Sequence, residues 1–150
     1  MKINVISIAL LFLFLISCRE VESIDCSLVD CAFQTFSITF VDGDGNNLIE
    51  NGTYTINDIM VSKNGDQLSF NASEDNKILF ETAGQQGDNI YEIKLSESRT
   101  DVLILDLDRR DSRNECCGPF FDVNNAIYEN SSNLVVETDG FITELIVTIQ

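Results

Sequence analysis

Hydrophobic and polar side chains alternate along most of the chain after residue 33, and this two-residue period predicts β-strands. Phe36, Ile38 and Phe40 follow the pattern ahead of an Asp-Gly-Asp-Gly turn at residues 42–45. Leucines fill every second position between residues 102 and 108, which is typical of a strand with one face in a core. No segment shows an apolar stripe with the 3.6-residue period of a helix.

Turn residues between the alternating segments predict three hairpins. Asn64-Gly65 and Asp139-Gly140 tolerate positive φ and mark two of the turns, and Gly84-Gln85-Gln86-Gly87 marks the third. The predicted pairs are residues 59–62 with 68–71, residues 78–82 with 90–95, and residues 134–137 with 141–149. Residues 54–56 and 126–128 are further short candidate strands. About seven to nine short strands predict an all-β fold, a single antiparallel β-sandwich, with a helical N-terminal signal segment.

The N-terminus has the pattern of an export signal: Lys2, an apolar run over residues 3–16, and small residues before a cleavage point. The run is shorter than the about 20 residues that cross a bilayer. Its end, Leu15-Ile16-Ser17-Cys18, resembles a bacterial lipoprotein signal. The resemblance implies that a peptidase cuts before Cys18 and that this cysteine carries diacylglycerol.

The resulting domain organisation is a signal peptide at residues 1–17, a lipidated N-terminus and tether at 18–32, and the β-sandwich at 33–150. Arg19 follows the lipidated cysteine, where an Asp would resemble an inner-membrane retention signal. We therefore expect a lipid-anchored protein of the cell envelope, at the outer membrane and facing the periplasm or the surface.

A shorter resemblance covers residues 40–49, Phe-Val-Asp-Gly-Asp-Gly-Asn-Asn-Leu-Ile. This stretch is similar to the first hairpin of transthyretin-like sandwich modules of the carboxypeptidase-regulatory type. The resemblance implies a β-sandwich and a module without catalytic residues.

Four cysteines remain once Cys18 is assigned to lipid, and an even number in an exported chain predicts two disulfides. They are Cys26, Cys31, Cys116 and Cys117. A bridge between the adjacent Cys116 and Cys117 would be strained, so each is expected to reach back to Cys26 or Cys31. Two pairings stay open: 26–116 with 31–117, or 26–117 with 31–116.

The composition excludes several kinds of chemistry. The chain has no histidine, the commonest general base and metal ligand, and its formal net charge is −16. Such an acidic surface disfavours nucleic acid as a partner. The expected partners are the membrane, through the lipid anchor, and an envelope protein or glycan; no cofactor is expected.

Asp42, Asp44 and Asn46 have the alternate spacing of calcium ligands, although a hairpin turn accounts for the same residues. Asp106 and Asp108 lie two apart on one strand, a pattern compatible with a carboxylate glycan hydrolase or with outward-facing acids. Phe120-Phe121 predicts either an exposed aromatic patch or one ring packed beneath the cysteine loop.

These observations favour a lipid-anchored envelope lipoprotein whose β-domain binds or supports other components without catalysis. The alternatives are a histidine-free carboxylate hydrolase acting on glycan and a calcium-stabilised adhesion module.

Overall fold

The computed structural model describes residues 25–31, 34–81 and 84–150, and this part of the chain is all-β. The signal segment, Cys18 and Arg19 lie outside the described residues. One 3-10 helix, Ile56–Asp58, accompanies ten strands in the described residues. The strands are β1 (Thr35–Val41), β2 (Met60–Lys63), β3 (Asp66–Leu68), β4 (Phe70–Ala72), β5 (Ile78–Glu81), β6 (Gly87–Ser96), β7 (Arg99–Arg110), β8 (Phe120–Tyr128), β9 (Ser131–Asp139) and β10 (Ile142–Ile149).

The strands form two five-stranded sheets. The first sheet has the order β4-β5-β1-β10-β9, and the second has the order β3-β2-β6-β7-β8. The chain passes from one sheet to the other four times, placing β1, then β4 and β5, then β9 and β10 in the first sheet. Ten strands are more than the seven to nine expected, because residues 66–72 split into β3 and β4, one in each sheet.

One strand pair is parallel, which corrects the expectation of a purely antiparallel arrangement. β1 runs parallel to β10, from Thr35 opposite Ile142 to Val41 opposite Thr148. The other pairs of named strands are antiparallel. A parallel pair needs a crossover between its strands, and the crossover here includes the whole second sheet.

The two sheets share one hydrophobic core, built from the alternating inward positions of their strands. Aromatic rings meet across the sheets: Phe40 lies 6.0 Å from Tyr128, and Phe80 lies 5.7 Å from Tyr91, both edge to face. A fully buried side chain of this size contributes about 1.5–3 kcal/mol. The leucines of β7 at positions 103, 105 and 107 are buried, which confirms the core face predicted for this strand.

The predicted hairpin of β9 with β10 is present, and the turn predicted after β2 is present too. The second strand of the hairpin that begins with β2 is residues 66–68 and not 68–71, because residues 70–71 belong to β4 in the other sheet. Asn64 and Gly65 adopt φ values of 55° and 86° between β2 and β3. Gly140 adopts φ of 61° between β9 and β10. Positive φ at these positions is the reason for the Asn-Gly and Asp-Gly sequences.

The predicted hairpin of residues 78–82 with 90–95 is wrong, since β5 and β6 belong to different sheets. The connection between them is a crossover organised by Asn89. Its buried side chain accepts from the Gln85 N–H at 3.0 Å and donates to the carbonyls of Gln85 and Gly87 at 2.7 and 2.8 Å. Glycines serve such a crossover as well as they serve a hairpin turn.

Two shorter expectations also change. Residues 54–56 do not form a strand; the 3-10 helix begins at Ile56 instead. The strand expected at 126–128 is longer and begins at Phe120, because β8 pairs with β7 back to Arg110 opposite Phe120. A shift in register between Asp106 and Leu107 interrupts the alternation in β8, which explains why its first half was not recognised.

Candidate functional site at the disulfide end

Two disulfides fasten the start of the described chain to the loop between β7 and β8. Cys26 is bonded to Cys116 and Cys31 to Cys117, with Cα–Cα distances of 5.3 and 5.5 Å. Both distances are ordinary for disulfides. This is one of the two pairings left open by the sequence. Residues 26–31 are consequently held to the loop at both of their ends.

The segment between the two bridges forms a turn that presents Leu28. The Val29 N–H donates to the Cys26 carbonyl at 3.2 Å, and the Ser27 N–H donates to the Asp25 carboxylate at 3.0 Å. The hydrogen bond from Ser27 lowers the pKa of Asp25. Leu28 is 92% exposed, the most exposed large hydrophobic side chain in the described residues.

Gln34 joins the two sheets next to the disulfides. Its side-chain amide donates to the Phe121 carbonyl and accepts from the Phe121 N–H, the second bond measuring 2.7 Å. Phe121 is buried and belongs to the hydrophobic core, whereas Phe120 is only partly buried. The disulfide end is the name used below for residues 25–31, the end of β7 at Arg109 and Arg110, the loop 111–119, Phe120 and Phe141.

Phe120, the other member of the pair, lies against Phe141 from the turn between β9 and β10, with ring centroids 5.2 Å apart. These two rings and the loop line an open pocket of about 450 Å³. Its polar lining consists of Arg110, Asp111, Ser112, Arg113 and Asn114. The pocket therefore combines two aromatic rings with guanidinium, carboxylate, hydroxyl and amide groups, and small-ligand sites likewise combine apolar and polar groups.

Two of the arginines at this end form exposed ion pairs. Arg109 lies 2.9 Å from Asp111, and Arg110 lies 3.2 Å from Asp122. Exposed pairs of this kind contribute at most about 1 kcal/mol each, so the arginines can exchange partners at small cost.

The calcium candidates Asp42, Asp44 and Asn46 lie at the opposite end of β1, in a turn that uses their polar groups internally. The Asp42 carboxylate accepts from the N–H groups of Asp44 and Asn46 at 3.0 and 2.9 Å, and from the Asn46 side chain at 2.9 Å. These hydrogen bonds, chiefly from the Asn46 side chain, lower the pKa of Asp42. Within residues 25–31, 34–81 and 84–150, no three His, Cys, Asp or Glu side chains are grouped as metal ligands.

Asp106 and Asp108 face outward from β7. In the strand register Asp106 is opposite Asn125 and Asp88, and Asp108 is opposite Asp122. They lie on the open outer surface of the second sheet. Their position is that of solvated acids rather than of an acid and base placed on either side of a sugar.

A buried polar cluster at the end of the fold opposite the disulfides was missed by the sequence analysis. Asp101 accepts from Arg99 Nε at 2.9 Å and from the Tyr128 hydroxyl and the Asn130 side chain, both at 3.3 Å. Burial, followed by the charge of Asp101, raises the pKa of Tyr128. The available signal was position: Asp101 is on the same face of β7 as Leu103 and Leu105.

No helix in the described part of the chain is long and apolar enough to cross a membrane. Comparison with protein-family models, with curated proteins and with solved structures finds no match for this chain.

Proposed function

We propose that the chain is a lipid-anchored lipoprotein of the bacterial cell envelope, with a β-sandwich domain that acts in binding or support without catalysis. The observation that carries the proposal is the cysteine at the end of Leu15-Ile16-Ser17-Cys18. Two disulfides in the folded domain support it, because such bonds form and persist in exported proteins.

The architecture supports a binding or structural role at the envelope. Two sheets around one core form the proposed sandwich, and its disulfide end carries a pocket and exposed apolar side chains. Arg19 after the lipidated cysteine favours the outer membrane. The outward positions of Asp106 and Asp108 give no support to a carboxylate hydrolase, and the internally bonded Asp42 turn gives none to a calcium module.

Replacement of Cys18 by Ala tests the anchor in a bacterial host fed a labelled fatty acid. We expect the Cys18→Ala chain to accumulate as unlabelled precursor, since the acyl acceptor is gone. The matched control is Ser17→Ala, which keeps a small residue before the cut and should be processed and labelled normally. Fatty-acid labelling and normal processing of Cys18→Ala would overturn the proposal.

A further inference from the structure

We propose that the disulfide end docks onto the phospholipid headgroups of the bilayer that holds the anchor, with Leu28 and Phe141 entering the interface. This inference rests on the proposed lipid anchor and adds the orientation of the domain and its contact surface.

The first argument is the length of chain between the anchor and the fold. Only residues 19–25 separate Cys18 from Cys26, which the first disulfide fastens to the loop. Seven residues reach at most about 25 Å when fully extended. The tether therefore keeps the disulfide end within about 25 Å of the bilayer.

The second argument is the apolar surface that this end exposes. Leu28 is 92% exposed at the tip of a turn held by two disulfides, and Phe141 and Ile142 are 49% and 53% exposed. Single exposed apolar residues are common on protein surfaces. Here they are placed by rigid elements on the end that the tether brings to the membrane, where apolar side chains enter the boundary of headgroups and acyl chains.

The third argument is the position of the cations. The chain has nine basic residues, and Arg109, Arg110 and Arg113 lie within five positions of one another at this end. Arg110 and Arg113 line the pocket beside the rings of Phe120 and Phe141. A guanidinium can bind a phosphate with two parallel hydrogen bonds, so arginines that line a pocket together with aromatic rings suit a phosphodiester headgroup.

The acidic residues define the limits of this surface. The disulfide end also carries Asp25, Asp30 and Glu115, and the carboxylates of Asp111 and Asp122 pair with Arg109 and Arg110. It is therefore not a broad basic patch, and the proposed phosphate contact is confined to the arginines. At the far end of β1, Asp42, Asp44 and Glu50 have no cluster of arginines beside them, and a phosphate surface repels them. The proposed orientation therefore rests on the tether and the exposed apolar side chains, with the arginines as local phosphate contacts.

The test uses the acylated protein in vesicles of phosphatidylethanolamine and phosphatidylglycerol that carry brominated acyl chains. Because the chain has no tryptophan, each single-tryptophan variant reports one position. The variants are Leu28→Trp and Phe141→Trp at the disulfide end, with Met60→Trp on β2 as the matched control at an exposed apolar position. Circular dichroism verifies that each variant is folded.

We expect bromolipids to reduce the tryptophan fluorescence of the Leu28→Trp and Phe141→Trp variants about twofold or more. The bromine atoms are placed on the acyl chains at the depth that interfacial side chains reach. The Met60→Trp emission should stay unchanged. Adding Arg113→Glu to Leu28→Trp should weaken the quenching, whereas adding Lys94→Glu, on the second sheet, should not. The lipid composition contains no other ligand, so quenching there identifies the bilayer as the partner.

Flotation separates the two ways in which the inference can fail. If the protein does not float with the vesicles, both the lipid anchor and the docking are contradicted. If the protein floats but Leu28→Trp and Phe141→Trp are not quenched, only the docking is contradicted. The pocket would then be available to a protein or glycan partner. Equal quenching at Met60→Trp would also contradict a fixed orientation.

Discussion

The carboxylate of Asp101 lies 2.9 Å from Nε of Arg99 at a position where Asp101 is only 3% exposed. Arg99 also donates to the carbonyls of Asn130 and Gln150, at 3.2 and 3.3 Å. It therefore links β7 to the turn between β8 and β9 and to the residue that follows β10. A pair whose carboxylate is buried stabilises less by its own attraction than it destabilises when one partner is removed, even though Arg99 is partly exposed.

Asp101→Ala should therefore lower the free energy of unfolding by about 3 kcal/mol, because Arg99, Tyr128 and Asn130 lose a shared acceptor. The control is Asp108→Ala, which replaces an exposed acid on the outward face of the same strand. This variant should change the free energy of unfolding by less than about 0.5 kcal/mol. Urea unfolding at neutral pH measures both. Equal midpoints for the two variants would contradict the role assigned to Asp101.

Ionisation of Tyr128 makes the stability of the fold depend on pH in the alkaline range. Its pKa is raised above the ordinary value of about 10, first by burial and then by the charge of Asp101. A raised pKa in the folded state means that the stabilisation is complete below about pH 10 and is lost as the pH rises beyond that value.

We expect the Tyr128 phenolate to form only as the protein unfolds at high pH. Absorbance of ionised tyrosine and circular dichroism, followed together in an alkaline titration, measure this. Tyr128→Phe should be less sensitive to pH above 10 than the natural protein, although it loses the hydrogen bond to Asp101. An unchanged alkaline slope in this variant would argue against the assignment.

Gly84 is required by close packing at the crossover between β5 and β6. A Cβ at this position would lie 2.9 Å from Leu107 Cδ1 and 3.2 Å from two ring carbons of Phe121. Gly84→Ala should destabilise the protein by about 1–2 kcal/mol through overpacking. Gly43→Ala is the matched control, since a Cβ there meets nothing within 4 Å. If thermal melting finds the two variants equally stable, the packing at Gly84 is not limiting.

The disulfide pairing can be tested with two double variants that each leave two of the four bridged cysteines, beside Cys18, whose thiol the proposed lipid anchor blocks. Cys26→Ser with Cys116→Ser leaves Cys31 and Cys117, which are bonded in the structure. Cys26→Ser with Cys117→Ser leaves Cys31 and Cys116, which are not. The first variant should have no alkylatable thiol and lose about 2–5 kcal/mol for one missing bridge.

The second variant should show two free thiols and lower stability than the first. Alkylation with mass determination and urea unfolding measure the two properties. The opposite ranking would support the alternative pairing of Cys26 with Cys117 and of Cys31 with Cys116.

The features that follow from short stretches of sequence were predictable. Alternating leucines in β7 defined its buried face, and the Asp139-Gly140 turn fixed the hairpin of β9 and β10. The pairing of β1 with β10 was not predictable, because a parallel pair between distant segments leaves no local signal. The glycines at 84 and 87 indicated a change of direction without indicating whether the next strand stays in the same sheet.

The candidate site shows the same division. The four bridged cysteines could be recognised from their even number once Cys18 was assigned to lipid. The pairing could not be predicted, because Cys116 and Cys117 are adjacent and either one can reach Cys26 or Cys31. The contact between Phe120 and Phe141 could not be predicted, since it joins the start of β8 in one sheet to the turn between β9 and β10 in the other. Asp101 could have been recognised as buried from its register with Leu103, had an inward carboxylate been accepted as part of a core.

The most direct test of the account is the intact mass of the native protein extracted from membranes without reduction. We predict one species that begins at Cys18, carries the mass of a diacylglyceryl group on that residue, and has Cys26, Cys31, Cys116 and Cys117 all oxidised. A chain that begins elsewhere, or that begins at Cys18 without lipid, would contradict the anchored lipoprotein on which the proposed function rests.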